Sequence, residues 1–505
     1  MSIPLLHVVT SAQLPSPVPD SPDPATLIGA LPLNEPPVAW VRRGDGLIGW
    51  GEAARWEGSG PGRFAEASAW WREVTRAAAV DDAVGVCGSG LVAFGSFAFD
   101  DASAENSVLI VPRVVLGRRA DGAWMTTVFG DGRGSSGDDR GCVGGPGAEH
   151  GAGGGDESGE DRCVVGDTAD ARARYCSMVD NAVGRISAGE LEKVVLARAE
   201  SASVEAGLTV KEILMRLATR FDTTWAFHVA GLVGATPEML VRTERGLALS
   251  RVLAGTIRRE ESDTDDDALL RSAQLARSSK DLLEHQHAVE SVAQALEPFC
   301  ASMNVPEQPF VLHLPNVMHL ASDVTGVLNA DEARTSLELA AALHPSAAVC
   351  GTPRAAAQAV ITELEGFDRG RYSGPVGWMG ADGDGEWGIA LRCARLDDAG
   401  LDEAGRLSQA HSADGRNPQA NAPAGWLSQA HSADGVRLDD AGRLSQARSA
   451  DGRNPQPPAA ASANKSPQRA RLYAGCGVVG ASTPESEYAE SEAKLQPMRW
   501  ALSAG

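Results

Sequence analysis

The stretch 343–396 constrains this chain most. It reads LHPSAAVCGTPRAAAQAVITELEGFDRGRYSGPVGWMGADGDGEWGIALRCARL. His344-Pro345 opens it, and a run of small residues (345–353) leads into an amphipathic helix expected over 355–365. The segment 367–374 (FDRGRYSG) follows. Two strands then meet around Asp382-Gly383-Asp384-Gly385, and Asp-Gly between apolar runs is a strong hairpin signal. The second strand, expected over 386–396, carries Arg392 among apolar neighbours. A guanidinium inside a strand is costly unless an anion binds it. That points to a ligand with a carboxylate, and the rest of the chain can be searched for where such a ligand reacts.

Charge narrows the class of ligand. The 505 residues hold 45 Lys and Arg against 67 Asp and Glu, a formal net charge of −22. Non-specific nucleic-acid binding needs a basic surface, so that class is excluded. A small acidic substrate is not excluded, because a site needs only local positive charge. The start, MSIPLLHVVTSAQ, has no basic region and no long apolar core, so no signal peptide is expected. No apolar run approaches the roughly 20 residues that span a bilayer. The eight cysteines are scattered without a Cys-x-x-Cys pair. They read as free thiols in a reducing cytosol, neither a disulfide framework nor a zinc site.

The chain divides by composition. Residues 1–130 read as α/β, with strands around 38–41 and 47–51 and a helix over 63–79 that aligns Phe64, Ala67, Trp71 and Val74 on one face. Strand-like pieces follow at 84–99 and 107–116. The segment 131–166 turns to Gly, Asp, Ser and Glu, which cannot bury enough apolar surface to offset ordering entropy, so a disordered insert is expected. Residues 167–396 and 469–498 form the expected catalytic part, opening with a helix over 169–187. Between them, 397–468 contains LSQAHSADG at Leu407 and Leu427 and LSQARSADG at Leu444. Each unit has one Leu and little else to stack, so a low-complexity insert in a hairpin loop is expected rather than a solenoid. Loop entropy grows only logarithmically, which makes a long insert tolerable.

Several side chains could carry chemistry. Lys193 precedes the apolar run 194–197, and a partly buried lysine there serves as a general base. An exposed strand-end lysine fits the same local sequence. Glu238, in GATPEML, lies between strand-like runs. Beside Met239 and Leu240 its pKa would rise and it would serve as a general acid; a turn glutamate facing water also fits. The small residues of Leu253-Ala254-Gly255-Thr256, placed after a strand, would let a ligand approach the backbone. Glu284 stands on a long helix ending near 296, together with Asp281 and His285. A solvated face or an inward Mg²⁺ ligand both suit it. Near the C-terminus Glu487, Glu490 and Lys494 recur at i, i+3, i+7 and share a helical face.

Taken together, these segments resemble the chorismate-utilising enzymes: isochorismate synthase, salicylate synthase, the large component of anthranilate synthase and aminodeoxychorismate synthase. The likeness runs from about 169 to 498, outside the repeat insert, through at least six motifs in order. The 1–130 region is similar to that family's variable first half. The resemblance implies an α/β (α+β) fold in one large unit, two packed β-sheets wrapped by helices, with the site in a cleft between them. It implies Mg²⁺ on Glu284 and Glu490, chelating the ring carboxylate of chorismate. Tyr372 and Arg392 then contact the pyruvyl carboxylate. Gly255, Thr256, Gly475 and Lys494 supply ring-carboxylate and backbone contacts, and His319 lies beside the ring.

The branch is argued from nucleophiles. Members that add ammonia at C2 typically lack a lysine at the position of Lys193. The aminodeoxychorismate branch commonly carries a nucleophilic lysine where this chain has Ala254. Water is left, activated by Lys193, with Glu238 protonating the departing C4 hydroxyl, and the product is isochorismate. Salicylate synthase shares the lysine and glutamate and is the alternative; anthranilate synthase component I is a more distant one. The His344-Pro345 segment resembles isochorismate synthases. The expectation is therefore a cytoplasmic, monomeric enzyme acting on chorismate, for menaquinone or siderophore synthesis. No glutaminase partner, nucleic acid or membrane is expected. One residue departs from the family pattern: Cys476 stands where a small apolar residue is usual.

Overall fold

The protein is described from a computed structural model covering residues 4–12, 24–33, 35–120, 122–130, 169–205, 207–258, 264–313, 317–330, 334–397 and 469–503. These residues belong to one compact unit. The insert expected over 131–166 lies outside the described residues, as does the insert expected over 397–468 apart from Asp397.

Turn chemistry sets the strand pairing. Arg43-Gly44, Ala230-Gly231 and Arg245-Gly246 each place two successive residues at positive φ (52° and 79°, 47° and 81°, 51° and 78°). That is the signature of a type I′ turn, whose twist matches its flanking strands. These turns join Pro37–Arg42 to Asp45–Trp50, Trp225–Val229 to Leu232–Thr236, and Met239–Glu244 to Leu247–Arg258. Among the described residues the strands form one twelve-stranded and one ten-stranded sheet.

The two sheets pack face to face. Trp40 and Phe227 from the first meet Phe94, Val376 and Trp378 from the second. Alternation along each strand sends the other side chains outward. Val233, Ala235 and Leu472 take Ile213 and Leu217 of the helix Val210–Arg220 and Leu495 and Met498 of the helix Pro484–Leu502. Leu240, Val241 and Trp387 take Trp71 of the helix Arg63–Ala77 and Leu337 and Ala340 of the helix Ser336–Leu343. This is the two-sheet, helix-wrapped fold that the sequence implied. No described helix is long and apolar enough to cross a membrane.

Three local expectations are corrected. Residues 386–396 are not one strand. Gly385–Ile389 belongs to the ten-stranded sheet and Cys393–Leu396 to the twelve-stranded one. Arg392, at φ 47°, turns the chain between them. The strand expected over 84–99 is shorter, Val92–Ser96, because residues 83–90 form turns anchored on Asp82. Gly255 does not follow a strand. It sits within Leu247–Arg258 as a bulge at φ 78°, between Ala254 paired with Leu320 and Thr256 paired with His319.

Strand Cys393–Leu396 pairs with Arg469–Val478 through Ala394–Leu472, Arg395–Arg471 and Leu396–Ala470. The Asp397 amide donates to the Arg469 carbonyl at 2.9 Å, closing the ladder. Replacing 398–468 by Asn-Gly is therefore expected to preserve the fold. Each halving of loop length lowers the closure cost by about 0.6 kcal/mol, so the midpoint of thermal unfolding should rise by a few degrees. A lower midpoint than the parent's, measured by calorimetry, would show that the segment contributes to stability.

Candidate active site

Two of the places where the chain changes sheet lie side by side. Pro237-Glu238 links Leu232–Thr236 in the twelve-stranded sheet to Met239–Glu244 in the ten-stranded one, and residues 390–392 make the return crossing. The crossings are hydrogen-bonded to each other. The Ile389 amide donates to the Glu238 carbonyl (3.1 Å), the Ala235 amide to the Arg392 carbonyl (3.1 Å), and the Thr236 hydroxyl to the Ile389 carbonyl (2.6 Å). This lattice presents the Glu238 and Arg392 side chains to one cavity of about 240 Å³.

The same cavity collects Lys193, Gly255, His319, Tyr372, Gly475, Glu490 and Lys494. Nine of the eleven residues singled out from the sequence thus meet on one surface. The side chains of the other two, Thr256 and Glu284, lie outside the described residues. Their backbones stand in the strand Leu247–Arg258 and the helix Ser279–Leu296. Asp281, one turn before Glu284, lines the cavity.

Glycine placement shapes one wall. Gly475 and Gly477 alternate on the cavity side of Arg469–Val478. A Cβ at Gly475 would lie 3.1 Å from the Tyr372 hydroxyl, and one at Gly477 would lie 3.0 Å from Lys193 Cε. Side chains there would displace the two groups the wall is built to hold. Lys193 opens the adjacent strand Lys193–Ser203. The Tyr372 ring stacks on Tyr473 with centroids 4.9 Å apart and planes 8° apart.

Burial governs the electrostatics. Glu238 is raised from 4.5 to about 7, because desolvation outweighs the opposing pull of Lys193, Lys494 and Arg392. Half of its carboxyl population is therefore protonated near neutrality. Desolvation lowers Arg392 to about 10, with Glu238 acting against it. The Arg392 residue is 9% exposed, and its Nη1 has no hydrogen-bond partner. An uncompensated buried guanidinium marks a place for an anion. His319 is lowered to about 3, by burial first and then by Arg392 and Lys494, so its imidazole stays neutral. Lys494 donates to the Gly475 carbonyl and pairs with Glu490, both at 2.8 Å. Burial alone would lower its ammonium, but Cys476 and Glu490 raise it above the ordinary lysine value.

Sequence reasoning passed over several supporting residues. Arg369 is buried and ion-paired to Glu365 (Nε to Oε2, 2.8 Å). It also donates to the Val349 and Val195 carbonyls (2.9 and 2.8 Å), while Glu365 accepts from the Ala197 amide (2.7 Å). This pair fastens the Lys193 strand to the helix Arg354–Glu365 and to the wall formed by Ala348 and Val349. His344 is buried away from the cavity, with Nε2 2.9 Å from the Phe99 carbonyl, and it shapes the turn. Glu487, quoted only for its helical face, lines the cavity beside Glu490.

A family model described as chorismate binding enzyme matches residues 39–402 and 459–503. The chain is 39% identical over 238 residues to the isochorismate synthase DhbC of Bacillus subtilis (strain 168), covering 45% of this chain and 59% of that protein. The chain spans about three fifths of the length of the curated relatives it matches. Two solved structures share the fold. One is MenF, the menaquinone-specific isochorismate synthase from Escherichia coli (TM-score 0.65, 20% identity, 100% of this chain and 96% of that one). The other is anthranilate synthase component I from Streptococcus pneumoniae TIGR4 (TM-score 0.57, 18% identity, 93% and 94%). The two-sheet fold is the one these solved structures share. The chain belongs to the chorismate binding enzyme family.

The buried acid has a measurable cost. Its folded-state pKa is raised, so the native protein holds more protons than the unfolded chain between about pH 4.5 and pH 7. Stability attributable to Glu238 is thus fully retained below pH 4.5, falls as pH rises, and levels off above pH 7. Glu238→Gln is expected to be the more stable protein above pH 7, by on the order of 3 kcal/mol. Urea denaturation at pH 5 and pH 8 measures it; a difference independent of pH would contradict the burial of this carboxyl.

Proposed function

We propose that this chain is an isochorismate synthase. The observation that carries the reading is the shared cavity of Lys193 and a Glu238 whose carboxyl titrates near 7. A general acid works best with a pKa near the operating pH. Lys193 takes a proton from water as its oxygen bonds to C2 of chorismate. The ring double bonds shift, the C4–O bond breaks, and Glu238 gives its proton to the departing hydroxyl, which leaves as water. One water is consumed and one released, so the product is an isomer, and in the reverse direction the two residues exchange roles. No ammonia is used, so no glutaminase partner is needed.

Arg392 and Tyr372 hold the pyruvyl carboxylate, and His319 stays neutral beside the ring. Gly255, Thr256, Gly475 and Lys494 supply the ring-carboxylate and backbone contacts. The donor set fits a magnesium ion on one side. The Glu490 and Glu487 carboxylates converge with Cys476 Sγ, all ligand atoms lying within 4.8 Å of one another. Hard carboxylate oxygens are what magnesium selects. Glu490 and Glu284 would hold the ion, which when bound supplies positive charge to the ring carboxylate. The reading places the enzyme in the cytosol as a monomer, feeding menaquinone or siderophore synthesis.

Incubation of the purified chain with chorismate and Mg²⁺, without ammonia or glutamine, should yield an equilibrium mixture of two isomers of equal mass by chromatography with mass detection. Salicylate plus pyruvate would instead assign the lyase branch. Lys193→Ala should lose turnover while still binding chorismate; retained turnover would remove Lys193 as the base.

Arg392→Gln separates binding from folding. Without ligand it should be at least as stable as the parent, since it removes an uncompensated buried charge. Chorismate affinity should fall by roughly 2–5 kcal/mol. Melting temperatures with and without chorismate read both, and an unchanged ligand-induced shift would rule out the carboxylate contact.

A further inference from the structure

We propose that His285 is a positioning residue for the site: from the helix side of the sheet it holds the Ala254–Gly255 peptide, whose glycine lines the cavity. The role toward substrate rests on the reading of Gly255 as a substrate contact. His285 is buried on the helix Ser279–Leu296, one turn after Asp281. Its Nδ1 lies 3.3 Å from the Ala254 carbonyl and its Nε2 lies 2.8 Å from the Ser322 hydroxyl. A carbonyl only accepts, so Nδ1 carries the proton, and in the neutral ring Nε2 accepts from Ser322. Ser322, itself buried, stands on the strand Val317–Leu328. One side chain thus ties a helix to two strands at the point where their ladder is interrupted.

The bulge creates the need for such a tie. Gly255 has no cross-strand partner, since Ala254 pairs with Leu320 and Thr256 with His319. At φ 78° glycine sits without strain, and glycine is also the residue with the widest freedom to leave that conformation. A stiffer residue does not fit. A Cβ at Gly255 would lie 3.1 Å from Asp281 Cβ and 3.3 Å from Leu320 Cδ1. Rigidity must therefore come from outside the backbone.

Two imidazoles supply it. The His319 ring hydrogen-bonds the Gly255 backbone, and His285 takes the carbonyl just before it. Residues 319 and 322 point to opposite faces of their strand, so the two rings grip the bulge from both faces. In a planar trans peptide the N–H points opposite to the C=O. Holding the Ala254 carbonyl on His285 therefore directs the Gly255 amide away from the helix, to the side on which His319 lines the cavity.

Two substitutions in the full-length protein separate this tie from general packing, with circular dichroism checking that both fold. In His285→Asn the amide nitrogen stands at the chain position of Nδ1 and can keep the Ala254 bond. In His285→Gln it stands at that of Nε2 and keeps the Ser322 bond instead. KM for chorismate should rise by roughly tenfold in His285→Gln, the scale of one buried hydrogen bond lost, and stay near the parent's in His285→Asn. The kcat should change little in either, because a contact made alike to substrate and transition state moves KM alone. Hydrogen exchange of the ligand-free protein, read by mass spectrometry over 247–258, should quicken in His285→Gln and not in His285→Asn. Unchanged exchange in His285→Gln overturns the tie. Faster exchange with an unchanged KM, or a raised KM in His285→Asn, makes His285 a packing residue and overturns its role toward substrate. A parent that converts no chorismate overturns the functional reading, and that role with it, while the exchange measurement still decides the tie.

Discussion

The structure depends on two backbone crossings that hydrogen-bond to each other. A chain leaving a sheet loses its ladder partners, and its buried amides and carbonyls must be satisfied elsewhere. Here each crossing satisfies the other: Ile389 donates to Glu238, Ala235 donates to Arg392, and the Thr236 hydroxyl bonds Ile389. Neither crossing would be stable alone at the centre of the protein. Their pairing fixes one place where the sheets exchange strands, and with it the position of Glu238 and Arg392 on the cavity. It also makes a carboxyl and a guanidinium neighbours without either spending its hydrogen bonds on the fold.

Charge in the cavity follows from that economy. The residues that stiffen the walls are paired: Arg369 with Glu365, Arg371 with Glu105, Lys494 with Glu490. Glu238 and Arg392 are positioned by the hydrogen-bonded backbone crossings. Glu238 is consequently tuned by burial more than by any neighbour, and Arg392 retains an unmet hydrogen-bonding direction. Paired charges give the frame its rigidity, and the open Nη1 of Arg392 gives the site its appetite for an anion.

How much of this was legible in the sequence depends on range. Turn and helix signals are local. The Asp-Gly hairpin and the face shared by Glu487, Glu490 and Lys494 could be read directly, and those three residues do reach one cavity. The site as a set was legible through family resemblance, because its members are scattered over three hundred positions. The sheet change at Arg392 was not. The run 386–396 stays apolar on both sides of it, and hydrophobic pattern does not record which sheet a strand joins. Arg369 and Glu365 look like an ordinary i, i+4 surface pair; only tertiary packing shows that both are buried. Cys476 was visible as an oddity, but its neighbours arrive from a helix that folds back later.

The closed ladder at Leu396–Ala470 has a further consequence. Because the two strand ends meet in register, the span between them is a port in the architecture. Sequence can accumulate, duplicate or be lost there without re-registering any strand of the catalytic sheet. The nonapeptides that recur at Leu407, Leu427 and Leu444 lie in this span. The same property makes this hairpin the natural place to graft a reporter, an affinity tag or a second enzyme onto the protein.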